Sequence, residues 1–580
     1  MTDTPQAPLH GEPEQSCDIV LKGGITSGVV YPLALVALAA KYRFSSIGGT
    51  SAGAIAAAAT AAAEYGRPIE NAGFDRLKKI PNEVGPNLLS LFQPVPTLRP
   101  LFEIFVATLK AKSAIGRCVA IGCAAIIGYR DSAVSGLLPG LVIVAAAWLS
   151  GGGTGFVLLG LLSAIVGLAI AIVWRLLKAA NTDLVAADFG LCPGLRQPRS
   201  FSEGFTDWLA RLIDEAAGRV PGTDAPLTFG DLARPPGGRP PIQLAMMTTS
   251  LMERRPYTLP IKDRRFVFKR SEWENLFPSR IMAFLTEVCE RFVPPADETG
   301  EFYYFPDEEQ LPLIVGARMS LSFPGLISAV PLWVRDFTLT DKAEQNKLRR
   351  CLFSDGGLSS NFPIQFFDRL LPNKPTFAIT LDRYDEKRNY DGNVWLPKSS
   401  SSGIQLPIEP FEGLGGFLMR LIDSAKDWQD NLQSTLPGYR ERIAHVALRP
   451  EDGGLNLAMD QQTILKLAGY GEQAGELLRD KFDLDAHRWR RFLVAMARME
   501  ETLDDVAAAY GYLAGESFAA FLARYAGTKP PYAQSPAIFT EMLKRGEELA
   551  AAGLAWRAAP TIRSGDIPHP ATNLRITAKP

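Results

Sequence analysis

A serine between two glycines is the first feature of this sequence that could do chemistry. Gly49-Thr50-Ser51-Ala52-Gly53 follows a short apolar run at residues 44–47 and precedes an alanine-rich run at residues 54–63. A strand, a tight glycine-walled turn and a helix in this order form a nucleophile elbow, which presents the serine hydroxyl at the edge of a sheet. A glycine-rich loop that merely contains a serine would look the same, so the partners of Ser51 must decide between the two interpretations.

A serine nucleophile needs a base within hydrogen-bonding distance, and the usual histidine is hard to find here. His10 and His569 lie in the polar or proline-rich ends, and His487 lies at the start of a predicted helix. His445, which opens an apolar strand, is the one histidine that merits a closer look. None of the four has the surroundings of an α/β-hydrolase histidine, so a Ser-His-Asp triad is not favoured.

Asp355 is the better candidate for the base. It ends a short apolar strand, and Gly356 and Gly357 follow it, so a partner can approach closely. Because open α/β sheets place their sites at the carboxyl ends of strands, we expect Asp355 at the same edge as Ser51. A free aspartate, with a pKa of about 3.9, is a weak base at neutral pH, but burial could raise that pKa. An ordinary Asp-Gly turn is the alternative.

A second glycine-rich turn lies between the first predicted strand, residues 17–21, and an apolar helix, residues 29–40. It reads Lys22-Gly23-Gly24-Ile25-Thr26-Ser27-Gly28. It is not a phosphate-binding loop, because no Gly-Lys-Ser/Thr follows it and its glycines do not have Gly-x-Gly-x-x-Gly spacing. Exposed backbone amides beside a nucleophile elbow suit the stabilisation of an oxyanion. The predicted donors are the amides of Gly23, Gly24, Ile25 and Ala52.

Composition excludes some classes of function. The chain has 580 residues and a formal net charge of -1, which gives no electrostatic basis for a nucleic-acid partner. Its six cysteines have no metal-like spacing, and the proposed chemistry needs no metal or other cofactor. Cys118 and Cys123, in an apolar run, are expected to be buried free thiols in a reducing compartment. Residues 1–16 do not resemble a signal peptide, so we expect the catalytic part in the cytoplasm.

A long uncharged stretch predicts a membrane hairpin. Residues 132–174 contain no charged side chain, and a glycine-rich turn at residues 150–155 separates two apolar arms. Each arm is close to the ~17–25 residues that cross a bilayer. A pair of buried core helices is the alternative. Since both flanks are basic and must lie in one compartment, we expect two crossings of an inner membrane, with the catalytic part facing the cytoplasm.

The pattern along the chain predicts an α/β fold with a mostly parallel central sheet, followed by helices. The predicted parts are a disordered tail at 1–16, a catalytic domain at 17–390 interrupted by a hydrophobic insertion at 114–178, a mobile loop at 391–410, a mainly helical region at 411–560 packed on the core, and a disordered tail at 561–580.

Together these features resemble the patatin-like phospholipase family, lipid acyl hydrolases with a Ser-Asp dyad. Four segments carry the resemblance: Gly49-Thr50-Ser51-Ala52-Gly53, residues 22–28, residues 317–325, and Asp355-Gly356-Gly357 with Asn361 and Pro363 behind it. The resemblance implies Ser51 as nucleophile, Asp355 as base and residues 22–28 as the oxyanion loop. The family loop usually reads Asp-Gly-Gly-Gly-x-Arg/Lys-Gly, so Lys22, Ile25 and Ser27 depart from it.

The resemblance implies a patatin-like three-layer fold and an enzyme of phospholipase A or lysophospholipase type that acts on membrane glycerophospholipids. Together with the predicted hairpin, it indicates a membrane-associated enzyme whose partners are this lipid substrate and the bilayer. Two alternatives stay open on the sequence alone. One is an acyltransferase that passes the acyl group to an alcohol, and the other is an inactive membrane scaffold with the altered loop as its mark.

Overall fold

The structure is a computed structural model. It describes residues 11–569, apart from 25, 111–113, 199, 296–297, 388–391, 398–404, 407, 409, 412, 450–451, 453–455, 512–515, 529–530 and 533. Most of the predicted tail at residues 1–16, much of the predicted loop at 391–410, and Ile25 of the predicted oxyanion loop therefore lie outside the described residues. The first strand begins at Gln15, two residues before the predicted boundary.

The described strands are β1 Gln15–Leu21, β2 Tyr42–Gly49, β3 Gly190–Cys192, β4 Gln243–Ser250, β5 Arg255–Leu259, β6 Val267–Lys269, β7 Arg291–Phe292, β8 Phe302–Tyr304, β9 Gly325–Ile327, β10 Val330–Arg335, β11 Leu348–Asp355, β12 Thr376–Arg383, β13 Val394–Trp395 and β14 Ile443–Leu448.

The described helices are α1 Tyr31–Ala39, α2 Ala52–Tyr65, α3 Gly73–Lys78, α4 Ile80–Val84, α5 Arg99–Lys110, α6 Ala114–Gly128, α7 Arg130–Leu149, α8 Thr154–Lys178, α9 Leu184–Ala186, α10 Phe205–Ala216, α11 Phe229–Ala233, α12 Arg270–Trp273, α13 Ser279–Val288, α14 Leu313–Ser320, α15 Lys342–Asn346, α16 Gly413–Ser434, α17 Gln461–Lys481, α18 Leu484–Gly511, α19 Phe518–Ala526 and α20 Pro536–Ala558.

One large mixed sheet organises the α/β fold, as the sequence predicts. In the described residues its strand order is β13-β14-β12-β1-β2-β4-β11-β10-β6-β8-β7, with β5 paired to β4. The five strands from β14 to β4 are parallel. Beyond β4 the strands run antiparallel, so the predicted parallel arrangement holds for this central group and not for the whole sheet.

The antiparallel direction of β11 changes the reason why Asp355 lies near the elbow. A strand antiparallel to β4 would carry its carboxyl end to the opposite edge of the sheet if the two overlapped fully. Only the last three residues of β11 pair with β4, and Asp355 lies opposite Thr248, two residues before the end of β4. Asp355 therefore reaches the expected edge through its register, whereas the sequence argument relied on strand direction.

The two faces of the central strands are covered differently. Ile19, Ile47 and Ile379 belong to the main core, which also contains residues of α1, α2 and α17. On the other face, Val20 and Ala378 pack with a short segment at residues 362–367. Alternation of side chains along the strands explains why neighbouring residues enter different clusters.

The predicted hydrophobic hairpin is formed by α7 and α8, and both helices are long and apolar enough to cross a membrane. Only 17% of the most apolar window of each is buried in the protein, which distinguishes them from core helices. The two helices meet at small residues. A Cβ on Gly136 would lie 2.6 Å from the carbonyl oxygen of Gly167, and one on Gly140 would lie 2.2 Å from the nitrogen of Ala164. Such close contacts between small residues are typical of helix pairs in membranes.

The run from residue 118 to 128 forms the greater part of α6. This helix packs against α5, and its outer side chains, including Ile115, Val119 and Ile127, are exposed. Cys118 and Cys123 are exposed free thiols, so the expectation that they are buried is wrong. The physical reason is that α6 has protein on one side only.

Candidate active site

The elbow holds Ser51 in a backbone conformation that residues other than glycine rarely adopt. Ser51 has φ 55° and ψ −129° between the end of β2 and the start of α2. A Cβ on Gly49 would lie 2.3 Å from the carbonyl oxygen of Gly53, and a Cβ on Gly53 would lie 2.3 Å from that of Leu21. These approaches are shorter than any contact that a real side chain makes, so glycine is required at position 49 by the turn itself and at position 53 by the close approach of β1. Strain of this kind at a non-glycine residue is typical of functional sites.

Asp355 lies directly against the serine. The Ser51 Oγ donates a hydrogen bond to Asp355 Oδ2 at 2.7 Å, and both residues are 3% exposed. The other oxygen, Oδ1, accepts from the backbone amide of Gly357 at 2.7 Å. The turn at Gly356 and Gly357 thus fixes the carboxylate so that one oxygen faces the hydroxyl. A carboxylate held in this way can accept the serine proton.

Two further hydrogen bonds fix the backbone of the elbow and the side chain of Thr50. The Ser51 amide donates to Ser320 Oγ at 3.2 Å, and the Ser320 hydroxyl in turn donates to the carbonyl of Met247 at 2.6 Å. Thr50 Oγ1 donates to the carbonyl of Asn361 at 3.0 Å. Ser320 and Asn361 belong to segments that carry the family resemblance, but their contacts with the elbow could not be predicted, because they depend on how distant loops meet.

The glycine-rich loop lies beside Ser51. Gly23 donates its amide to the carbonyl of Asn361 at 2.7 Å, and Ala52 donates its amide to the carbonyl of Gly24 at 3.4 Å. That Gly24 carbonyl also lies 3.0 Å from Ser51 Oγ. Within the part of the chain that the structure describes, the amide of Gly24 has no acceptor. Of the predicted oxyanion donors, the amide of Gly23 is therefore engaged with Asn361, while the amide of Gly24 has no acceptor among the described residues and that of Ala52 makes one long contact.

Lys22 and His445 belong to a separate polar cluster. His445 Nδ1 lies 2.6 Å from Asp382 Oδ2, and its ring stacks on Trp395. Lys22 Nζ donates to Thr380 Oγ1 at 3.1 Å. Burial raises the pKa of Asp382, but His445 and Lys22 outweigh that effect and hold its pKa at about 2. His445 is therefore already paired, three strands from β2, and Asp355 is the carboxylate that contacts Ser51.

An acidic residue that the sequence argument missed supports the loop behind Asp355. Asp430, buried on α16, accepts hydrogen bonds from Ser360 Oγ at 2.7 Å, from the Asn361 amide at 2.6 Å and from the Phe362 amide at 2.8 Å. Burial raises the pKa of Asp430. No local pattern marks this residue, because its partners lie about 70 positions earlier in the chain.

An apolar cavity adjoins the elbow. Gly28 and Ala52 form part of its wall, and Ile55 and Ala59 continue the wall along α2. The remaining wall is also almost entirely apolar and includes Leu35, Leu77, Val84, Phe92, Trp208 and Leu326. A cavity of this composition next to a nucleophile suits a hydrocarbon chain. Among the described residues, no group of three or more His, Cys, Asp or Glu side chains could hold a metal ion.

Comparison with known proteins agrees with the geometry. A family model described as patatin-like phospholipase matches residues 19–117, which include the glycine-rich loop and the elbow. A relative from Rhizobium meliloti (strain 1021), described as RpoH suppressor, is 34% identical over 638 aligned positions that cover 97% of this chain and 99% of the relative. The crystal structure of VipD from Legionella pneumophila covers 96% of this chain and 90% of its own, with 12% identity and a TM-score of 0.32, a likeness too low to support any argument.

Proposed function

We propose that this chain, which belongs to the patatin-like phospholipase family, is a serine lipid acyl hydrolase that cleaves acyl esters of membrane glycerophospholipids. The short distance of 2.7 Å between Ser51 Oγ and Asp355 Oδ2 at a strained elbow supports this proposal. The activity is of phospholipase A or lysophospholipase type. The family supports lipid hydrolysis in general. The contact between Ser51 Oγ and Asp355 Oδ2 is the single observation that carries the assignment of residues.

In the proposed reaction, Asp355 takes the proton of the Ser51 hydroxyl while Oγ attacks the carbonyl carbon of the ester. The tetrahedral intermediate then expels the alcohol half of the lipid, which receives that proton from Asp355, and the acyl group stays on Ser51. Asp355 next removes a proton from water, whose oxygen attacks the acyl carbonyl. The second tetrahedral intermediate expels Ser51 Oγ, which takes that proton from Asp355, and the fatty acid is released. One base therefore serves both halves of the reaction.

The developing oxyanion is assigned to the amides of Gly24 and Ala52. The Gly24 amide has no acceptor among the described residues, and the Ala52 amide makes only a 3.4 Å contact with the Gly24 carbonyl. The substrate oxygen would replace that carbonyl as the acceptor for Ala52. Backbone amides supply such stabilisation without a charged side chain, so the lysine and serine at the unusual loop positions are compatible with activity.

The cavity beside α2 is the proposed site for the acyl chain. Its apolar wall begins at Ala52, the neighbour of the nucleophile, so an ester carbonyl at Ser51 would place its hydrocarbon chain along Ile55 and Ala59. Burial of a chain there gains about 0.8 kcal/mol for each CH₂ group. This gain favours lipid esters over short soluble ones.

The hairpin of α7 and α8 is the proposed membrane anchor. Its two helices are long and apolar enough to cross a bilayer, and they are largely uncovered by the rest of the protein. Basic residues lie on both flanks, which favours a cytoplasmic position for the catalytic part at an inner membrane. Anchoring would keep the site at the surface where its lipid substrate resides.

An active-site-directed fluorophosphonate tests the assignment of the nucleophile. The wild-type protein should be labelled and should release free fatty acid from phospholipid vesicles, whereas Ser51→Ala should do neither. Ser45→Ala, on the same strand and outside the elbow, is the matched control and should behave as wild type.

Two results would count against the proposal. A wild-type protein that neither reacts with fluorophosphonate nor releases fatty acid would be inactive in this chemistry. A protein that reacts at Ser51 but delivers the acyl group to an added alcohol, with no release of fatty acid, would be an acyltransferase.

A further inference from the structure

The helix α16 presents an apolar face to solvent. Taking 100° per residue, six of its large apolar side chains fall within an arc of about 100°. These side chains are between 42% and 73% exposed: Leu414, Phe417, Leu418, Leu421, Trp428 and Leu432. From the first to the last, this apolar stripe runs roughly 27 Å along the helix axis.

The polar face of the same helix is turned toward the protein. Asp430, on the side opposite to Leu414, is 4% exposed and bonded to the loop behind Asp355. Arg420, Asp423 and Asp427 are half-buried. Of the described side chains of α16, none that is charged lies in the apolar stripe. This orientation is the reverse of a soluble amphipathic helix, which buries its apolar face.

The buried polar face of α16, opposite the stripe, is hydrogen-bonded to the loop that contacts the elbow. Asp430 binds the amide of Asn361, and the carbonyl of Asn361 accepts from Gly23 and from Thr50, the residue before the nucleophile. Two hydrogen-bonded steps therefore connect α16 to the elbow. The helix that carries the stripe is therefore fixed to the part of the fold that holds Ser51.

We infer that the apolar stripe of α16 lies on the surface of the lipid bilayer, which rests on the proposed function and specifies a surface by which the protein meets the membrane that contains its substrate. The chemistry favours a bilayer as the occupant. The stripe is long, uncharged and composed of leucine, phenylalanine and a tryptophan, a composition typical of helices that lie in the membrane interface. The same chain carries the hairpin of α7 and α8, which would keep it at a membrane.

Because no charged side chain described on α16 lies in the stripe, we can predict how its binding to vesicles depends on lipid charge and on salt. Binding should depend on apolar burial and should not require anionic lipid or low ionic strength. Neutral phosphatidylcholine vesicles are therefore the appropriate probe.

A fluorescent label on the full chain, reconstituted in such vesicles, tests the position of α16. Leu421→Cys would carry an environment-sensitive fluorophore in a background with the exposed thiols removed by Cys118→Ser and Cys123→Ser; the remaining cysteines are buried. The label at 421 should be quenched by lipids with brominated acyl chains and protected from iodide. A label at Glu308→Cys, on an exposed loop, is the control and should show the opposite behaviour.

Two outcomes would overturn the inference. Quenching by iodide at 421, equal to that at 308, would show that the stripe faces water. Protection from both iodide and brominated lipid would show that protein, such as a second copy of the chain, covers it. Neither quenching measurement depends on catalysis. A protein that shows one of these outcomes but still reacts with fluorophosphonate at Ser51 would contradict this inference and leave the proposed function standing.

Activity gives an independent measurement. The double variant Leu418→Ser with Leu421→Ser should lower turnover of vesicle phospholipid roughly tenfold, because two apolar anchors are lost, while hydrolysis of a short-chain water-soluble ester stays within about twofold of wild type. The control Val220→Ser with Phe337→Ser alters two exposed apolar residues away from α16 and should change neither rate. An equal loss with both substrates would contradict the inference.

Discussion

The contact between Ser51 and Asp355 is the residue-scale feature on which the proposed chemistry depends. Asp355→Asn keeps an oxygen for the Gly357 amide but removes the group that takes the serine proton. We expect turnover of a chromogenic ester to fall by roughly 10²–10⁴-fold with little change in the melting temperature. Rates and thermal melts of the purified variant check this prediction.

His445 provides the matched control for that prediction. It is the histidine that the sequence favours, yet the structure pairs it with Asp382. His445→Gln should therefore retain most of the turnover. If His445→Gln were inactive and Asp355→Asn fully active, the assignment of the base would have to be reversed.

A second residue-scale prediction concerns pH. His487 is buried on α18, and burial, with the nearby Arg442, Arg491 and Arg490, lowers its pKa to about 3. An unfolded histidine binds a proton below about pH 6.5. Between these values the unfolded state binds more protons, so the free energy of unfolding falls as the pH falls.

The size of this effect can be measured by substitution. From about pH 7 to about pH 5, the wild-type protein should lose about 2 kcal/mol more stability than His487→Gln, measured by denaturant unfolding. The exposed His569→Gln should keep the wild-type dependence. Identical pH profiles for His487→Gln and wild type would show that this histidine titrates normally in the fold.

At the scale of elements, α2 begins directly after Ser51, the proposed nucleophile, and lines the cavity that is the proposed site for the acyl chain. Ile55, one turn after Ser51, lies in the cavity wall. Ile55→Trp should fill the space nearest the elbow and lower kcat/KM for a palmitate ester relative to a butyrate ester by roughly tenfold. Kinetics with a series of p-nitrophenyl esters measure this ratio.

The control for the cavity is the same substitution at an exposed isoleucine. Ile69 is 43% exposed and does not line the cavity, so Ile69→Trp should leave the chain-length preference unchanged. A uniform loss across all chain lengths in Ile55→Trp would indicate damage to the elbow and would count against this site for the acyl chain.

At the scale of the whole molecule, the hairpin and the stripe of α16 are the two surfaces by which we propose that the protein meets a membrane. Since α7 and α8 pack against each other through Gly136, Gly140 and their partners, the hairpin begins and ends at neighbouring points and can be removed with a short linker. Deletion of residues 132–174 should convert the protein from one that resists extraction by alkaline carbonate into one that is extracted. The deletion variant should still react with fluorophosphonate, because Ser51 and Asp355 lie outside the hairpin. Membrane fractionation checks the prediction, and a deletion variant that still resisted extraction would show that the hairpin is not the anchor.

Much of this protein could be determined from the sequence because the relevant features are local. The turn at Ser51 requires glycine at position 49, where a Cβ would lie 2.3 Å from the carbonyl oxygen of Gly53. The uncharged stretch at residues 132–174 predicts two apolar helices by length and composition alone. The α/β class follows from the order of apolar runs and glycine-rich turns. Each of these depends on interactions between residues near one another in the chain.

The tertiary structure decided what depends on register and on which face of an element is turned inward. Asp355 meets Ser51 across 304 positions because the end of β11 pairs with the end of β4, a register that no local pattern specifies. Asp430 reaches the loop behind Asp355 for the same reason. Periodicity shows that α16 is amphipathic but not which face is covered. Only the packing of its buried polar face leaves the apolar stripe exposed, since hydrogen bonds to Ser360, Asn361 and Phe362 hold Asp430 against the protein.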